Sequence, residues 1–510
     1  MIQFLFNGMP IKVEKCSPNR TTLDWLRTKK GKTGTKEGCA TGDCGACTIL
    51  VGEEVEHSGG KSVWQYKTMN SCLMLLGNVH GKHILTIEAV TTNIHAGLAD
   101  LHPVQQAMVE CHGSQCGFCT PGIIMSLLGL YINHKSYPGK KTVIEALGGN
   151  LCRCTGYQPI LKAAEKAFEY ERIAEPWSAM ACRFSQQLID ETNKGKIPHL
   201  QDGERAFYIP QSAADVVALK AKHTTATFVA GATDFAIELN QQLRQPQTII
   251  SVSQVAEFIS FTETASEFQI GAAVPYKEFT ESLCQHYPEA TELFERLGSM
   301  QVRNAGTLGG SLGNASPIGD PAPLLIALNA QMNLQSSQGT RVIDVEDFFI
   351  GYRKTSLKEN EVISKIIIPK RSESLKLACH KISKRFEDDI STVCLILAVD
   401  HRNNVITSAR CAFGGMAATP ARAHKIEQQL LGGKINATTF IKAGEVVERD
   451  FSPLTDVRAT ADYRLAVSKN LLKRIGIEFS QASIARFSLA TTTVPEAPSP
   501  ISTRIRHASL

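Results

Sequence analysis

Residues 37–50 read EGCATGDCGACTIL, and residues 69–75 read MNSCLML. They set Cys39, Cys44, Cys47 and the distant Cys72 in a C-x4-C-x2-C…C pattern. That is the plant-type ferredoxin spacing for a [2Fe–2S] cluster. Iron bridged by sulfide is held by soft, anionic thiolates, which explains the residue type. Gly38, Gly42 and Gly45 suit a loop that needs positive φ angles and close backbone approach. The backbone N–H groups of such a loop can point at the sulfurs. Zinc sites prefer shorter paired C-x2-C spacings. Working outward, IQFLF and IKVEK flank Asn7-Gly8, a strong hairpin signal. TTLDWLRTKK reads as a helix starting at Thr21 or Thr22. Residues 1–85 are therefore expected to form a β-rich, ferredoxin-like domain.

A second set follows in SQCGFCTPG (114–122) and GNLCRCTGY (149–157). Cys116, Cys119, Cys152 and Cys154 form a C-x2-C and a C-x-C pair. Spacing alone leaves both a second cluster and a zinc ion open. The surroundings are helical: IIMSLLGLYIN after Pro121-Gly122 is a buried-helix pattern, and QPILKAAEKAFEY has helical spacing. Thr142 and Glu145 read as a capping box. Residues 86–170 are expected to be a small helical domain.

The chain has 510 residues and 15 cysteines, ten of them before residue 155. Hydrophobic residues make up 43% and charged residues 20%, the profile of a globular and not a disordered chain. A net charge of +5 spread along the chain gives no argument for nucleic acid. No apolar run reaches the ~18 residues of a membrane span, and MIQFLFNGMPIKV lacks signal-peptide features. The cytoplasm is the expected compartment, where stable disulfides are rare. The remaining thiols agree with that. Cys16, Cys284, Cys379, Cys394 and Cys411 read as buried free thiols. Cys111 lies beside a set already complete, and Cys182 falls in a linker.

Residues 171–200 lack sustained periodicity and are read as that linker. Beyond it strands and helices alternate: a helix over 210–220, strands in TFVAGATD, TIISVS and EFQIGAAV, then strands in ISKIIIP, CLILAVD and ITSARCAFGG. VAGATD (229–234) places Gly231 and Ala232 between a strand and a helix, where backbone N–H groups can reach a phosphate. VRNAGTLGGSLGNASPIGDPAP (302–323) reads as a long glycine-rich loop in which Asn314, Ser316 and Asp320 offer hydrogen-bonding groups. It is not G-x-G-x-x-G, which disfavours a Rossmann dinucleotide fold. A large cofactor with pyrophosphate and sugar and a plain structural loop both remain open. KRFEDDI (384–390) reads as a solvated turn or as acidic groups at a cofactor edge. TPARAHKIEQQL is expected to start a helix with Thr419 as N-cap and Pro420 in its first turn. The expected division is 201–370, 371–485 and a loose tail over 486–510.

EGCATGDCGACTIL, SQCGFCTPG, GNLCRCTGY, GATD, GGSLGNASPIGD and FGGMA occur in the order found in xanthine dehydrogenases. Over about residues 1–480 the chain resembles the iron–sulfur/FAD subunit of these molybdenum hydroxylases. The resemblance implies a multidomain α+β chain: a β-grasp ferredoxin domain, a helical [2Fe–2S] domain, a non-Rossmann, vanillyl-alcohol-oxidase-like FAD domain and a C-terminal α+β domain. It implies a second [2Fe–2S] cluster on Cys116, Cys119, Cys152 and Cys154, with Gln115 towards a pterin. It implies FAD contacts at Gly231, Ala232, Thr233 and Asp234, at Ser311, Asn314, Ser316 and Asp320, and at Ile363 and Lys381. Asp388 matches an acidic position on the NAD side of the flavin. Asp234 and Asn314 depart from the glutamate and threonine of the animal enzymes, which puts individual contacts in doubt. No unassigned segment is large enough for a molybdenum centre. A large molybdopterin-binding partner is therefore implied, in a heterotetramer of two small and two large chains. NAD would be the acceptor, and no side chain here is expected to act as acid, base or nucleophile. Electron transfer for another hydroxylase, acting on aldehydes or other heterocycles, is the alternative. A non-enzymatic metal-binding scaffold is a further one.

Overall fold

The computed structural model describes residues 1–57, 61–91, 101–173, 175, 177 and 196–488. It divides into two units. The first comprises Met1–Glu257 with Pro275–Lys277 and Gly298–Thr307, and the second the remaining segments.

The first unit begins with Ile2–Phe6 and Met9–Val13, joined as an antiparallel hairpin. Asn7 and Gly8 turn it with φ of 49° and 80°, the double left-handed turn that suits strand twist. Ile2–Phe6 also runs parallel to His83–Leu85, and Thr48–His57 and Lys61–Asn70 complete a five-stranded sheet. The helix Thr22–Thr28 starts where expected, with the Thr21 side chain accepting from Asp24 N–H. Its Trp25 meets Phe4 and Phe6 edge-on. Among the described residues up to Lys166, the short helix Ile87–Val90 follows, then four longer ones: Pro103–Glu110, Thr120–Asn133, Lys140–Leu147 and Gln158–Lys166. Thr120–Asn133 buries ten consecutive residues from Gly122 to Tyr131, as its all-round apolar sequence requires. The expected capping box at Thr142 is not formed. The helix begins at Lys140 with Gly139 as N-cap, and the Thr142 hydroxyl instead donates to Pro138 O.

Most of the linker read over 171–200 lies outside the described residues, Cys182 included. Its Trp177 is buried with Leu50, Tyr66, Leu85 and Leu128. His199–Asp202 opens a second sheet in the order His199–Asp202, Arg205–Tyr208, Thr248–Ser251, Thr227–Val229, with the last three mutually parallel. The helix read over 210–220 runs instead from Ala213 to Lys222, because Ser212 caps it by accepting from Asp215 N–H. This sheet shares its apolar core with the first: Ile2, Phe4, Trp25, Ile49 and Val79 cluster with Leu200, Phe207, Val229, Leu239 and Ile249. Gly77 makes the approach possible, since a Cβ there would fall 2.2 Å from the Phe207 ring.

The second unit holds a five-stranded antiparallel sheet in the order Phe261–Glu263, Glu267–Gly271, Val362–Pro369, Gln331–Ser336, Gly339–Asp344. A four-stranded antiparallel sheet, Lys376–Ile382, Val393–Arg402, Val405–Gly414 and Ala421–Arg422, packs under helices His424–Leu430, Ala437–Gly444 and Ala461–Ser488. Two readings change here. Thr419 and Pro420 precede a short strand, and the helix starts at His424. The glycine-rich stretch is not one loop: Leu308–Asn314 is helical. Its Gly309 lies so close to Ala272 that a Cβ would sit 2.5 Å from the alanine's Cβ and carbonyl oxygen. Tertiary contact thus overrides glycine's poor helix propensity. The expected tail lies outside the described residues from 489 onward.

Candidate cluster and flavin sites

The first cysteine loop follows the helix Thr22–Thr28 and feeds Thr48–His57. Ala40, Gly42 and Gly45 all have left-handed backbone, with φ of 57°, 87° and 65°. The resulting curl turns the N–H groups of Thr41 and Cys44 onto Cys39 Sγ, each at 3.4 Å. Asn70 Nδ2 donates to Gly42 O at 2.6 Å, and the Ser71 hydroxyl to Cys47 O at 2.7 Å, fixing the loop to the arm that carries Cys72. Cys47 and Cys72 are buried, with sulfurs 3.3 Å apart. The Cys44 thiol hydrogen-bonds Cys39 and brings it down to about 4, against the opposing effect of burial, with help from Thr41. Cys72 does the same for Cys47, while Cys44 and Cys72 are raised.

The second set sits at helix ends. Cys119 is the N-cap of Thr120–Asn133. Gly117 with φ of 82° precedes it, and Gly156 and Tyr157, at 65° and 67°, turn the chain after Cys154. Cys152 N–H donates to the Tyr157 hydroxyl at 2.8 Å, and Cys152 Sγ meets the Thr155 hydroxyl at 3.1 Å. Burial raises the Cys152 thiol, but the Thr155 hydroxyl and neighbouring N–H groups outweigh it and lower it. Burial and the bond to Cys152 push Cys119 up to about 12. Phe118 N–H and the Cys154 thiol lower Cys116. Cys116 and Cys154 are exposed, as is Gln115.

Both sets therefore resolve into thiol pairs: Cys39 with Cys44, Cys47 with Cys72, Cys116 with Cys154, and Cys119 with Cys152. Among the described residues no three such ligands converge on one point. Two pairs of free thiols per site fit a two-iron cluster, in which each iron takes two thiolates. The two sites touch. Leu151 N–H donates to Cys44 O at 3.0 Å, and Asn150 Nδ2 to Gly45 O at 3.1 Å. Ser126 Oγ and Gln301 Nε2 hold Asn150 Oδ1 at 2.6 and 3.0 Å.

The flavin residues implied by resemblance fall on both units. In the first, Gly231–Asp234 links the strand Thr227–Val229 to the helix Phe235–Gln242. A Cβ on Gly231 would fall 1.8 Å from Ala305 O, so only glycine fits, and Ala232 is left-handed at φ 58°. Asn78 Nδ2 anchors the turn through Ala230 O at 3.0 Å. In the second unit, Ser311 and Asn314 lie on the helix Leu308–Asn314, and the Ser316 hydroxyl accepts from Ile318 N–H. Buried Ile363 lies 3.7 Å from where a Cβ on Gly313 would stand. Asp320 and Lys381 are buried and paired at 2.7 Å; Ser391 takes the other carboxylate oxygen, and Lys381 Nζ also donates to Arg296 O. Asp388, with φ 49°, lies in the connection between Lys376–Ile382 and Val393–Arg402. Sequence reasoning missed Asn70, Asn78, Asn150, Thr155, Tyr157 and Gln301. Asn70 lies in MNSCLML and Asn150, Thr155 and Tyr157 in GNLCRCTGY, so nearness to the cysteines was their one signal, and all but Thr155 and Tyr157 act on distant partners.

Four domain families match this chain in order. They are a 2Fe-2S iron-sulfur cluster binding domain over residues 6–76, a [2Fe-2S] binding domain over 86–165, the FAD binding domain in molybdopterin dehydrogenase over 201–371, and the CO dehydrogenase flavoprotein C-terminal domain over 378–479. The chain is 30% identical to xanthine dehydrogenase/oxidase of Gallus gallus over 88% of this chain and 38% of that one. It is 27% identical to aldehyde oxidase 2 of Rattus norvegicus over 94% and 39%. It thus spans well under half the length of these relatives. A solved carbon monoxide dehydrogenase from Hydrogenophaga pseudoflava matches 57% of this chain and 99% of its own, with 26% identity and a TM-score of 0.51. The chain belongs to the molybdenum hydroxylase family and carries two [2Fe–2S] domains and an FAD-binding domain.

Proposed function

We propose that this chain is the electron-transfer subunit of a xanthine dehydrogenase. It takes electrons from a molybdenum–molybdopterin centre on a large partner chain and delivers them through two [2Fe–2S] clusters and FAD to NAD as hypoxanthine or xanthine is hydroxylated. The carrying observation is the direct contact between the two cysteine loops, Leu151 N–H to Cys44 O, with two thiols buried in the first set and two exposed in the second. Bound clusters supply single-electron transfer, and bound flavin converts single electrons to hydride.

In this reading Cys39, Cys44, Cys47 and Cys72 hold the first cluster, and Cys116, Cys119, Cys152 and Cys154 the second. Gly231, Ala232, Thr233 and Asp234 form the first flavin turn. In the second unit, Ser311, Asn314, Ser316 and Asp320, with Ile363 and Lys381, are the further flavin contacts. The buried Asp320–Lys381 pair neutralises itself, so it shapes the wall without adding net charge. Asp388 stands on the NAD side. The domains divide at 1–85, 86–170, 201–370 and 371–485. The assembly is two small and two large chains in the cytoplasm.

A second reading, an aldehyde-oxidising assembly, is favoured by the likeness to aldehyde oxidase 2 over 94% of the chain. Assembly with the molybdopterin-binding partner separates the two. The expected result is about four irons per chain and one flavin, with NADH formed from hypoxanthine and xanthine. Turnover of aldehydes alone selects the second reading; absence of flavin overturns both.

A further inference from the structure

The helix Phe235–Gln242 has one end at the Gly231–Asp234 turn and the other against the first cysteine loop. Ala236 is buried in one cluster with Leu23, Cys47, Cys72 and Leu73, and Ile237 packs against it. This helix is thus a wall of the first site, supplied by a segment some 170 residues downstream. At its far end the Asn240 amide donates one hydrogen to Ala40 O at 2.9 Å and the other to Cys72 O at 3.0 Å. Ala40 belongs to the C-x4-C-x2-C loop and Cys72 to the separate fourth arm. A single side-chain nitrogen therefore ties the two arms that must close around one cluster. Gln241 reaches the same loop through Cys39 O at 3.5 Å.

We infer that Asn240 is a positioning residue for the first cluster: it holds Cys72 in register with Cys39 and Cys44, and it sets that cluster's potential. The electrostatic argument has a sign. The amide hydrogens place positive partial charge beside two carbonyl oxygens that border the site. Removing them leaves the negative ends of those dipoles uncompensated, which favours the more positive, oxidised cluster and lowers its potential. The bonds of Asn240 and Gln241 end on Ala40, Cys72 and Cys39, which all belong to the two arms of the first set. The inference rests on the reading that the eight cysteines hold two [2Fe–2S] clusters.

The test is a redox titration of the intact, cofactor-loaded chain with its partner, followed by the electron paramagnetic resonance of both clusters. A Cys72→Ser variant assigns the first-site signal. Asn240→Leu removes both donors, and Asn240→Asp removes them in the same shape. In both, the oxidised-to-reduced ratio of the first site at fixed ambient potential should rise about tenfold, a downward shift of about 59 mV for one electron. The second site should not move, and Asn240→Gln, which keeps the amide, should restore the wild-type titration. Selective loss of first-site iron in the Leu and Asp variants, with iron kept in the Gln variant, also supports the positioning role. An unmoved first-site potential at full iron and flavin content overturns it, as does an equal shift at both sites. A wild-type chain with no signal that Cys72→Ser abolishes would instead defeat the cluster reading itself.

Discussion

The two cysteine sites each bring four thiols together, and they differ in how many of those thiols reach solvent. In the first, Cys47 and Cys72 are buried, and a helix from far along the chain closes over them. In the second, Cys116 and Cys154 are exposed, and Phe118 and Leu151, beside the ligands, are each 49% exposed. Burial isolates a redox group and holds its ligands by packing. Exposure leaves ligands held by local turns and gives an apolar surface on which another molecule can approach. Under the proposed function, the first site would exchange electrons within the chain and the second would receive them at its surface.

The largest test of this contrast removes one ligand from each site. Cys72→Ala should lose the first cluster, about half of the iron, and should also lower the thermal midpoint strongly, because the thiol is part of a core. Cys154→Ser should lose a similar share of iron with a much smaller change in midpoint. Iron analysis and a thermal melt read both; equal melting shifts would erase the distinction. Next in size is Gly45→Ala. Gly45 has φ 65°, and a Cβ there would fall 2.0 Å from Gly149 O, where the two loops meet. Left-handed strain and overpacking together should cost about 2–5 kcal/mol, measurable by urea unfolding.

Acid should also act on the sheet that carries the first site. Buried His83 accepts from Gly8 N–H through Nε2 and pairs with the Tyr66 hydroxyl through Nδ1; burial holds it down to about 4. As pH falls below the ordinary histidine value, the unfolded chain takes up the proton first. Stability is then lost between about pH 6.5 and pH 4, by about 3 kcal/mol in all. His83→Gln should flatten that slope in a pH series of urea melts. The smallest effect is Tyr157→Phe, which strips the acceptor from Cys152 N–H. It should cost about 1 kcal/mol and move only the second cluster's signal.

The grouping of the eight cysteines into two sets was legible because cluster chemistry fixes residue type and spacing within a few positions. The Asn7-Gly8 hairpin and the Thr21 cap were legible for the same reason: their causes are local. What escaped the sequence was set by distant contacts. The helix Leu308–Asn314 carries three glycines in seven residues and forms because Ala272 packs against it. Thr142 and Glu145 have capping-box spacing, yet Lys140 and Lys141 already lie in the helix. Asn150 binds Gly45, and Asn240 binds Ala40, across about 100 and 200 residues, and nothing near either asparagine signals it. Asp320, read as offering a hydrogen-bonding group to a cofactor, has both carboxylate oxygens engaged by Lys381 and Ser391, partners that no local pattern reveals.

The core that joins Ile2 and Phe4 to Phe207 and Ile249 has a consequence for biosynthesis. A ribosome adds about 5–20 residues each second, so the opening sheet waits on the order of ten seconds or more for the strands that cover it. During that interval Leu75, Val79 and Gly77 present an uncovered apolar face next to unfilled thiols. Nascent chains stalled before residue 200 should therefore be the form that chaperones and iron-delivery factors encounter.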